Sequence, residues 1–272
     1  MLRRGVIPVL AIIGSGGCLS PPVITIEQRD VSITYVLPGI EGAGYFNRSI
    51  ANGLKRGGVR GAVEIFDWTT RAGPLGWFNH LSNETHHQVQ GMRLARHIVR
   101  YQRKHPGEPI FIVAHSGGAG IALIALEALP DTKPIDGIIL LAGAVSPDHD
   151  LTKALSRTRG ALWNFYSPRD IFFLVMGTTL FGTIDRTHEA SAGAVGFRLP
   201  ADLSEEGAIA YETKLHDIPW DKEMGKFGHY GGHSSSSALD FVAEYLAPII
   251  RDAEESPPSD VPPPPAGSAP TS

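Results

Sequence analysis

The residues best suited to chemistry in this sequence surround a single serine. Ser116 stands in the segment Ala114-His115-Ser116-Gly117-Gly118, where most of the neighbours are very small. A serine hydroxyl is nearly inert at neutral pH, and it becomes a nucleophile only where a histidine accepts its proton and an acid orients that histidine. The segment therefore predicts nucleophilic catalysis, provided that a carboxylate and a histidine meet the serine in the folded chain.

Two elements must position this serine. The apolar run Ile110 to Ala114 is typical of a buried central strand, and Ile121 to Leu129 has the composition of a helix. A sharp turn between them would hold the serine above the end of the sheet in a strained backbone conformation. The residues two before and two after the serine must then be small, as Ala114 and Gly118 are, so that strand and helix can approach.

The strand, turn and helix resemble the Gly-x-Ser-x-Gly nucleophile elbow of the α/β-hydrolase family, with Ala114 in place of the first glycine. The resemblance covers roughly Ser32 to Ile250. It implies an α/β fold with a mostly parallel central sheet flanked by helices, and a serine esterase or lipase-like activity. It also implies that nucleophile, acid and base follow in that order, each in a loop at the carboxyl end of a strand.

Asp170 is the acid that the resemblance implies. It ends the turn Ser167-Pro168-Arg169-Asp170, directly after the predicted strand Ala161 to Tyr166. Two alternatives remain open. Asp170 could simply cap the segment that begins at Ile171, or the acid could be Asp148, after the preceding strand, a position that some family members use.

His233 is the base that the resemblance implies. It follows two glycines in the loop Gly228 to His233, immediately before a closing helix predicted at Ser235 to Ile250. The glycines would let the backbone turn back toward the sheet. His229, four residues earlier in the same loop, is the alternative base.

Attack on a carbonyl group leaves a negative oxygen, which needs backbone N–H donors already in place. The resemblance assigns one donor to Gly117. The family draws the other from a loop after an early strand, where His-Gly-x is common, and this sequence has Pro38-Gly39-Ile40, without the histidine. Ile40 is therefore the expected second donor, with the N–H of Glu41 as the alternative.

Along the rest of the chain, apolar runs of strand length alternate with helical patterns, as in a parallel sheet covered by helices. The first two predicted strands are expected to form a hairpin. In the long helix Glu84 to Lys104, an apolar stripe is expected to face the core, and it consists of Val89, Met92, Ala95 and Val99. The other predicted helices are Tyr45 to Lys55 and Leu151 to Thr158, and the other predicted strands are Val23 to Gln28, Ser32 to Leu37, Ala62 to Asp67, Gly137 to Leu141 and Ala208 to Leu215.

An insertion at residues 171–200 could shape the substrate pocket. It separates the acid loop from the last predicted strand and carries a concentrated apolar face. Phe172, Phe173 and Met176 on this face are the candidate substrate-binding residues, suited to an acyl chain. The alternative is that the segment is ordinary helix and core.

Both ends of the chain differ from the middle. Cys18, the only cysteine, follows a basic head, an apolar run too short to span a bilayer and four small residues. Residues 1–17 are therefore expected to be an export signal. Cys18 resembles the lipidated first residue of bacterial lipoproteins, although Ser15 stands where leucine or valine is usual. Plain cleavage or an uncleaved anchor are the alternatives. We expect a periplasmic or cell-surface protein, lipid-anchored to a bacterial membrane, with its folded domain at residues 18–253 and a disordered, proline-rich tail at 254–272.

Composition and motifs exclude several function classes. A net charge of -4 with scattered lysine and arginine argues against nucleic-acid binding, and the chain lacks the phosphate-loop and dinucleotide patterns. The histidine and aspartate clusters lack metal-ligand spacing, so we expect no metal and no cofactor. The expected substrate is a small-molecule or lipid-like ester. A thioesterase, a peptidase and a non-catalytic binding protein on the same fold are the alternatives, and the oligomeric state is open.

Overall fold

The computed structural model describes residues 20–69, 84–170 and 190–256. These residues form six strands: β1 Ile33–Leu37, β2 Ala62–Ile65, β3 Ile110–His115, β4 Ile135–Leu141, β5 Thr158–Tyr166 and β6 Leu215–Pro219. The strands pair in the order β2-β1-β3-β4-β5-β6, and every pairing is parallel. The predicted α/β class with a mostly parallel central sheet is confirmed.

Helices cover both faces of this sheet. They are α1 Ile26–Arg29, α2 Tyr45–Arg56, α3 Glu84–Lys104, α4 Gly118–Glu127, α5 Thr152–Ser156, α6 Ala192–Val195, α7 Glu205–Lys214, α8 Leu239–Phe241 and α9 Ala247–Glu255. Short 3₁₀ helices span Lys222–Phe227 and His233–Ser237, and a π-helical turn, Val242–Leu246, separates α8 from α9. The closing helix is therefore present but broken.

Alternate side chains of β3 enter two apolar cores. Ile110, Ile112 and Ala114 pack in the core that contains α3 and α4, whereas Phe111 and Val113 pack in the core that contains α2 and α9. A strand buried on both faces has no polar side, which explains its uninterrupted apolar run. Because the strands are parallel, the loops that follow β1, β3, β5 and β6 emerge at one edge of the sheet, where a site can be assembled.

Two predicted strands are wrong. Residues Ile26–Arg29, within the strand predicted at Val23 to Gln28, form α1 because Thr25 and Gln28 make a reciprocal capping box. No hairpin forms, since β1 pairs in parallel with both of its neighbours. The strand predicted at Ala208 to Leu215 is the helix α7, whose first turn is capped by the side chain of Ser204, and the last strand begins only at Leu215.

The predicted core stripe of α3 is correct at Ala95, which is buried, and at Val99, which packs against the core, but it is wrong at the other two residues. Val89 and Met92 are 45% and 43% exposed, and the buried face instead carries His87, Gly91, Leu94, Ala95, Ile98 and Tyr101. The reason is a close helix contact at Gly91, where a methyl group would overlap the side chain of Ile124 on α4. The glycine turns its own face of α3 toward α4, which leaves Val89 and Met92 toward solvent.

The folded domain continues past the boundary expected at residue 253. Helix α9 runs to Glu255, and the Glu254 carboxylate is completely buried. It accepts hydrogen bonds from Ser32 Oγ at 2.7 Å and from the N–H groups of Arg60 and Gly61, both at 2.9 Å. Glu254 therefore belongs to the core and not to the tail.

Several predictions lie outside the described residues. They are the export signal at 1–17, Cys18, the greater part of the tail and the candidate substrate-binding residues Phe172, Phe173 and Met176. Within the described ranges, no helix is both long and apolar enough to cross a bilayer.

Candidate active site

Ser116 lies at the carboxyl end of β3 in a strained backbone conformation. Its φ is 53°, in the left-handed region that costs a residue other than glycine roughly 1–3 kcal/mol. Backbone bonds on both sides hold it there. Its N–H donates to Leu141 O at 3.0 Å, and its carbonyl accepts from Ala119 N at 3.1 Å and Ala144 N at 3.0 Å. The nucleophile candidate is therefore fixed by β4 and the start of α4.

The small residues of the elbow are required by its packing. A methyl group on Gly118 would lie 2.5 Å from Pro38 O and 2.9 Å from Leu37 O, closer than real carbon contacts allow. Ala114, on the other side of the turn, is fully buried, so one methyl group is accommodated there. The structure thus explains why alanine can replace the first glycine of the motif.

Three predicted site residues meet at this edge of the sheet. His233 Nε2 lies 2.9 Å from Ser116 Oγ, and His233 Nδ1 lies 2.7 Å from Asp170 Oδ2. A carboxylate can only accept, so Nδ1 carries the proton and Nε2 is left to accept the serine proton. This is the geometry that proton transfer from a serine hydroxyl requires.

The surroundings of His233 favour the neutral base. Burial, which penalises the charged imidazolium, lowers the pKa of His233 below its ordinary value. The hydrogen bond that His233 donates to Asp170 acts in the opposite direction but does not cancel the effect of burial. The side chain is therefore ready to accept a proton at neutral pH.

Asp170 is held in a turn directly after β5. Its N–H donates to Ser167 O at 3.0 Å, and the N–H of Ser167 donates to Gly193 O at 2.9 Å. Asp170 is 1% exposed, and its carboxylate points to His233. The alternative acid, Asp148, instead forms an exposed ion pair with Arg198 at 2.8 Å.

His229, the alternative base, lies elsewhere in the same loop. Its Nδ1 is 3.0 Å from Ser235 Oγ, and its carbonyl accepts from Trp220 Nε1 at 2.7 Å. Burial lowers the pKa of His229 to about 4. Gly231, with a φ of 86°, brings the loop against the acid turn, since a methyl group there would lie 3.0 Å from Ser167 Oγ.

The two expected oxyanion donors are neighbours. A methyl group on Gly117 would lie 3.9 Å from Ile40 N and 3.2 Å from Ile40 Cγ2. The loop after β1 is fixed in this place by Trp68, whose Nε1 donates to Pro38 O at 2.7 Å. The Trp68 ring is buried. The sequence feature that could have indicated this contact is the indole N–H, because it must find a hydrogen-bond partner when the ring is buried.

Two neighbouring histidines of α3, His86 and His87, pack on Trp68. His86 Nε2 lies 2.9 Å from Trp68 O, and the His87 ring meets the Trp68 ring edge-on at 5.8 Å. In the part of the chain that the structure describes, no group of three or more histidine, cysteine or carboxylate side chains is arranged to hold a metal ion. Sequence reasoning also missed the side chain of Glu41, of which it weighed only the N–H.

One protein family matches the segment that carries the elbow. The family described as "Serine aminopeptidase, S33" matches residues 83–171, which begin beside α3 and include both Ser116 and Asp170. The parallel sheet places the strained serine of this segment where a nucleophile elbow belongs. The chain has the α/β-hydrolase fold. The fold that the resemblance implies is thereby confirmed, and the match to residues 83–171 supports a serine hydrolase of this fold.

Solved structures similar to this hydrolase are distant. TT1662 from Thermus thermophilus is 14% identical over 83% of this chain and 90% of its own, with a TM-score of 0.45. The RedJ thioesterase from the prodiginine biosynthetic pathway of Streptomyces coelicolor is 12% identical over 78% of this chain and 89% of its own, with a TM-score of 0.37. No curated protein matches the hydrolase significantly by sequence. The fold assignment therefore rests on the parallel sheet and the elbow. The proposed substrate class rests on the geometry of the site.

Proposed function

We propose that this α/β-hydrolase cleaves a carboxylic ester through an acyl-enzyme intermediate. Ser116 is the nucleophile, His233 the general base and Asp170 the acid that orients it. The observation that carries this proposal is the continuous pair of hydrogen bonds, 2.9 Å from Ser116 Oγ to His233 Nε2 and 2.7 Å from His233 Nδ1 to Asp170 Oδ2.

Acylation begins as Ser116 Oγ attacks the ester carbonyl and His233 Nε2 takes the hydroxyl proton. The buried carboxylate of Asp170 stabilises the imidazolium that forms. The carbonyl oxygen becomes negative, and the backbone amides of Gly117 and Ile40 are the donors proposed to bind it. His233 then gives its proton to the departing alcohol, which leaves the acyl group on Ser116.

Deacylation repeats these steps with water. Water attacks the acyl carbonyl while His233 Nε2 accepts a water proton, and the acid product leaves as the same proton returns to Ser116 Oγ. Each turnover therefore consumes one ester and one water and restores the starting protonation states. The scheme needs neither a metal nor a cofactor.

A fluorophosphonate probe tests the nucleophile directly. We expect labelling at Ser116, no labelling of Ser116→Ala, and hydrolysis of a short nitrophenyl ester only by the protein that can be labelled. His233→Ala should abolish turnover, whereas His229→Ala should retain it if the variant folds. An unlabelled wild-type protein, under conditions that label a known serine hydrolase, would refute the proposal.

A peptidase is the second candidate, favoured by the description of the matching family. The same serine, histidine and acid can cleave an amide once the leaving nitrogen is protonated. A panel of nitrophenyl esters, acyl thioesters and aminoacyl nitroanilides compares the alternatives through kcat/KM. We expect the esters to give the highest values, and a preference for nitroanilides would favour the peptidase.

The acyl pocket and the cellular location are further proposals from sequence. Phe172, Phe173 and Met176 are proposed to contact the acyl chain, which predicts that Phe172→Ala lowers kcat/KM more for long acyl esters than for acetate. Export through residues 1–17 and lipidation of Cys18 are proposed from the basic head, the apolar run and the lone cysteine. Mass spectrometry of the mature amino terminus tests lipidation, and an unmodified Cys18 would exclude it.

A further inference from the structure

A second acid–histidine pair lies beside the first. His115, the residue before the nucleophile, is 1% exposed and places Nδ1 3.6 Å from Glu41 Oε1. Its Nε2 lies 3.3 Å from the carbonyl oxygen of His233, and the two imidazole rings are 5.0 Å apart between centroids. His115 therefore bridges the loop after β1, the elbow and the loop that carries the base.

Glu41 brings a negative charge close to the nucleophile. A side chain added at Gly39 would overlap the Glu41 carboxylate and lie 3.0 Å from Ser116 Cβ, so only this glycine separates the two groups. Glu41 Oε1 also accepts from Gly39 N at 3.3 Å, which folds the side chain back onto the proposed oxyanion loop. An uncompensated carboxylate here would disfavour the negative oxygen that forms during attack.

His115 supplies the compensation. Burial acts to raise the pKa of Glu41, but the nearby His115 and the backbone N–H groups of Gly39 and Glu41 together outweigh it, and the pKa is lowered overall. Both neighbours of the His115 ring nitrogens, the Glu41 carboxylate and the His233 carbonyl, are hydrogen-bond acceptors. His115 Nε2 can donate to the His233 carbonyl at 3.3 Å, whereas Nδ1 faces the Glu41 carboxylate at 3.6 Å without a hydrogen bond to any described residue.

We propose that Glu41 and His115 are positioning residues that tie the oxyanion loop to the backbone of His233 and balance charge around the proposed catalytic histidine. This inference rests on the proposed function, because it assigns the pair to the same reaction. His115 holds the carbonyl of the residue whose imidazole must meet Ser116 Oγ. A displacement of His115 therefore changes the alignment of base and nucleophile.

The pair also predicts opposite electrostatic effects on His233. Among the described residues, the charged groups that act on His233 are Asp170, Glu41 and His115. A positive His115 lowers the pKa of His233, whereas the negative Glu41 raises it. Removing Glu41 should therefore shift the acid limb of kcat/KM to lower pH, and removing His115 should shift it to higher pH.

The test compares Glu41→Gln, His115→Gln and His115→Leu with the wild type on a nitrophenyl ester between pH 4 and 9. The glutamine that replaces His115 retains an N–H that can reach the His233 carbonyl, whereas leucine has none. We expect kcat to fall about tenfold in His115→Leu, as for the loss of one buried hydrogen bond, and to recover for the most part in His115→Gln. KM should stay within about twofold of the wild type, because neither side chain is assigned to substrate binding.

The chain offers a matched control. Glu127 and His149 form another acid–histidine pair, with Glu127 Oε1 3.1 Å from His149 Nε2, at the far end of α4 from the elbow. Glu127→Gln should leave both kcat and the acid limb unchanged. The inference would be overturned if the acid limbs stayed fixed, or if they moved in the same direction in Glu41→Gln and His115→Gln. It would also be overturned if the acid limb moved equally in Glu127→Gln.

A second readout separates this inference from the proposed function. NMR titration of the His233 ring carbons reports its protonation without any turnover. Glu41→Gln should lower the titration midpoint of His233, and His115→Gln should raise it. A wild type without ester hydrolysis and without labelling would refute the proposed function, and the titration midpoints would still decide the role of the pair. Unshifted midpoints in both variants refute the pair alone.

Discussion

Replacing Asp170 with asparagine should lower the catalytic rate while leaving the stability of the fold nearly unchanged. Asp170 is 1% exposed, and its Oδ2 accepts the short bond from His233 Nδ1. Its other oxygen, Oδ1, has no hydrogen-bond partner among the described residues. Asparagine has the same shape, so the substitution removes the charge without opening a cavity, and no described residue on the Oδ1 side dictates which way the amide turns.

Either orientation of the amide harms catalysis. If the NH₂ group faces His233, the proton must move from Nδ1 to Nε2, and the base can no longer accept from Ser116. If the carbonyl faces His233, the hydrogen bond survives, but the imidazolium loses its counter-charge. We expect kcat to fall by about 10³ to 10⁴, equivalent to about 4 to 5.5 kcal/mol of transition-state stabilisation. Folding stability should change little, since a buried charge is replaced by a neutral group of equal size.

The assay is nitrophenyl ester hydrolysis normalised to folded protein, with urea unfolding in parallel. Asp148→Asn is the matched control, because Asp148 is the other acid considered from the sequence and lies in an exposed ion pair with Arg198. It should keep nearly full activity. If Asp170→Asn retained more than a tenth of kcat, or if Asp148→Asn lost more activity than Asp170→Asn, the assignment of the acid would be wrong.

Three further predictions concern the framework. Glu254→Gln turns an amide NH₂ group toward a donor and should lower the unfolding free energy by about 1 to 3 kcal/mol in urea, whereas Glu255→Gln, exposed on the same helix, should not change it. Gly118→Ala forces a methyl group against Pro38 O and should cost both stability and at least tenfold in kcat; wild-type behaviour would contradict the close approach. His229 has its pKa lowered to about 4 when folded, against an ordinary 6.5, so it stays neutral while the unfolded chain takes up a proton. Stability should therefore fall by roughly 3 kcal/mol as pH drops from 6.5 to 4, and His229→Asn should flatten that decline.

Much of the fold was predictable because its signals are local. The apolar run of β3 and the small residues around Ser116 report burial on both faces and a close approach, and both depend on neighbours within a few positions. The strand predicted at Ala208 to Leu215 failed for the opposite reason. Its apolar residues alternate only in part, as in a strand. Ser204 caps the first turn of α7, and such a cap decides where a helix begins.

The chain order of the candidate site residues could be predicted from the sequence. The residues that hold them in place could not. Ser116, Asp170 and His233 each follow a strand or precede a helix, so a family resemblance can locate them. Glu41 meets His115 only because β1 and β3 are adjacent in the sheet, and the sequence separation of the two residues carries no sign of this. Contacts between loops depend on strand order, and no local pattern in the sequence encodes that order.

Contacts distinguish the two histidines of the base loop. A general base works best when its pKa lies near the working pH, because a weaker base gains less from accepting the proton. His229, with a pKa of about 4, is a poor acceptor, and its Nδ1 is already engaged near Ser235 Oγ. His233 is buried as well, but the carboxylate of Asp170 opposes the effect of burial and orients the ring toward Ser116. Of these two histidines, His233 therefore has the contacts with Ser116 and Asp170 that the reaction needs, and the glycines before it serve to bring it there.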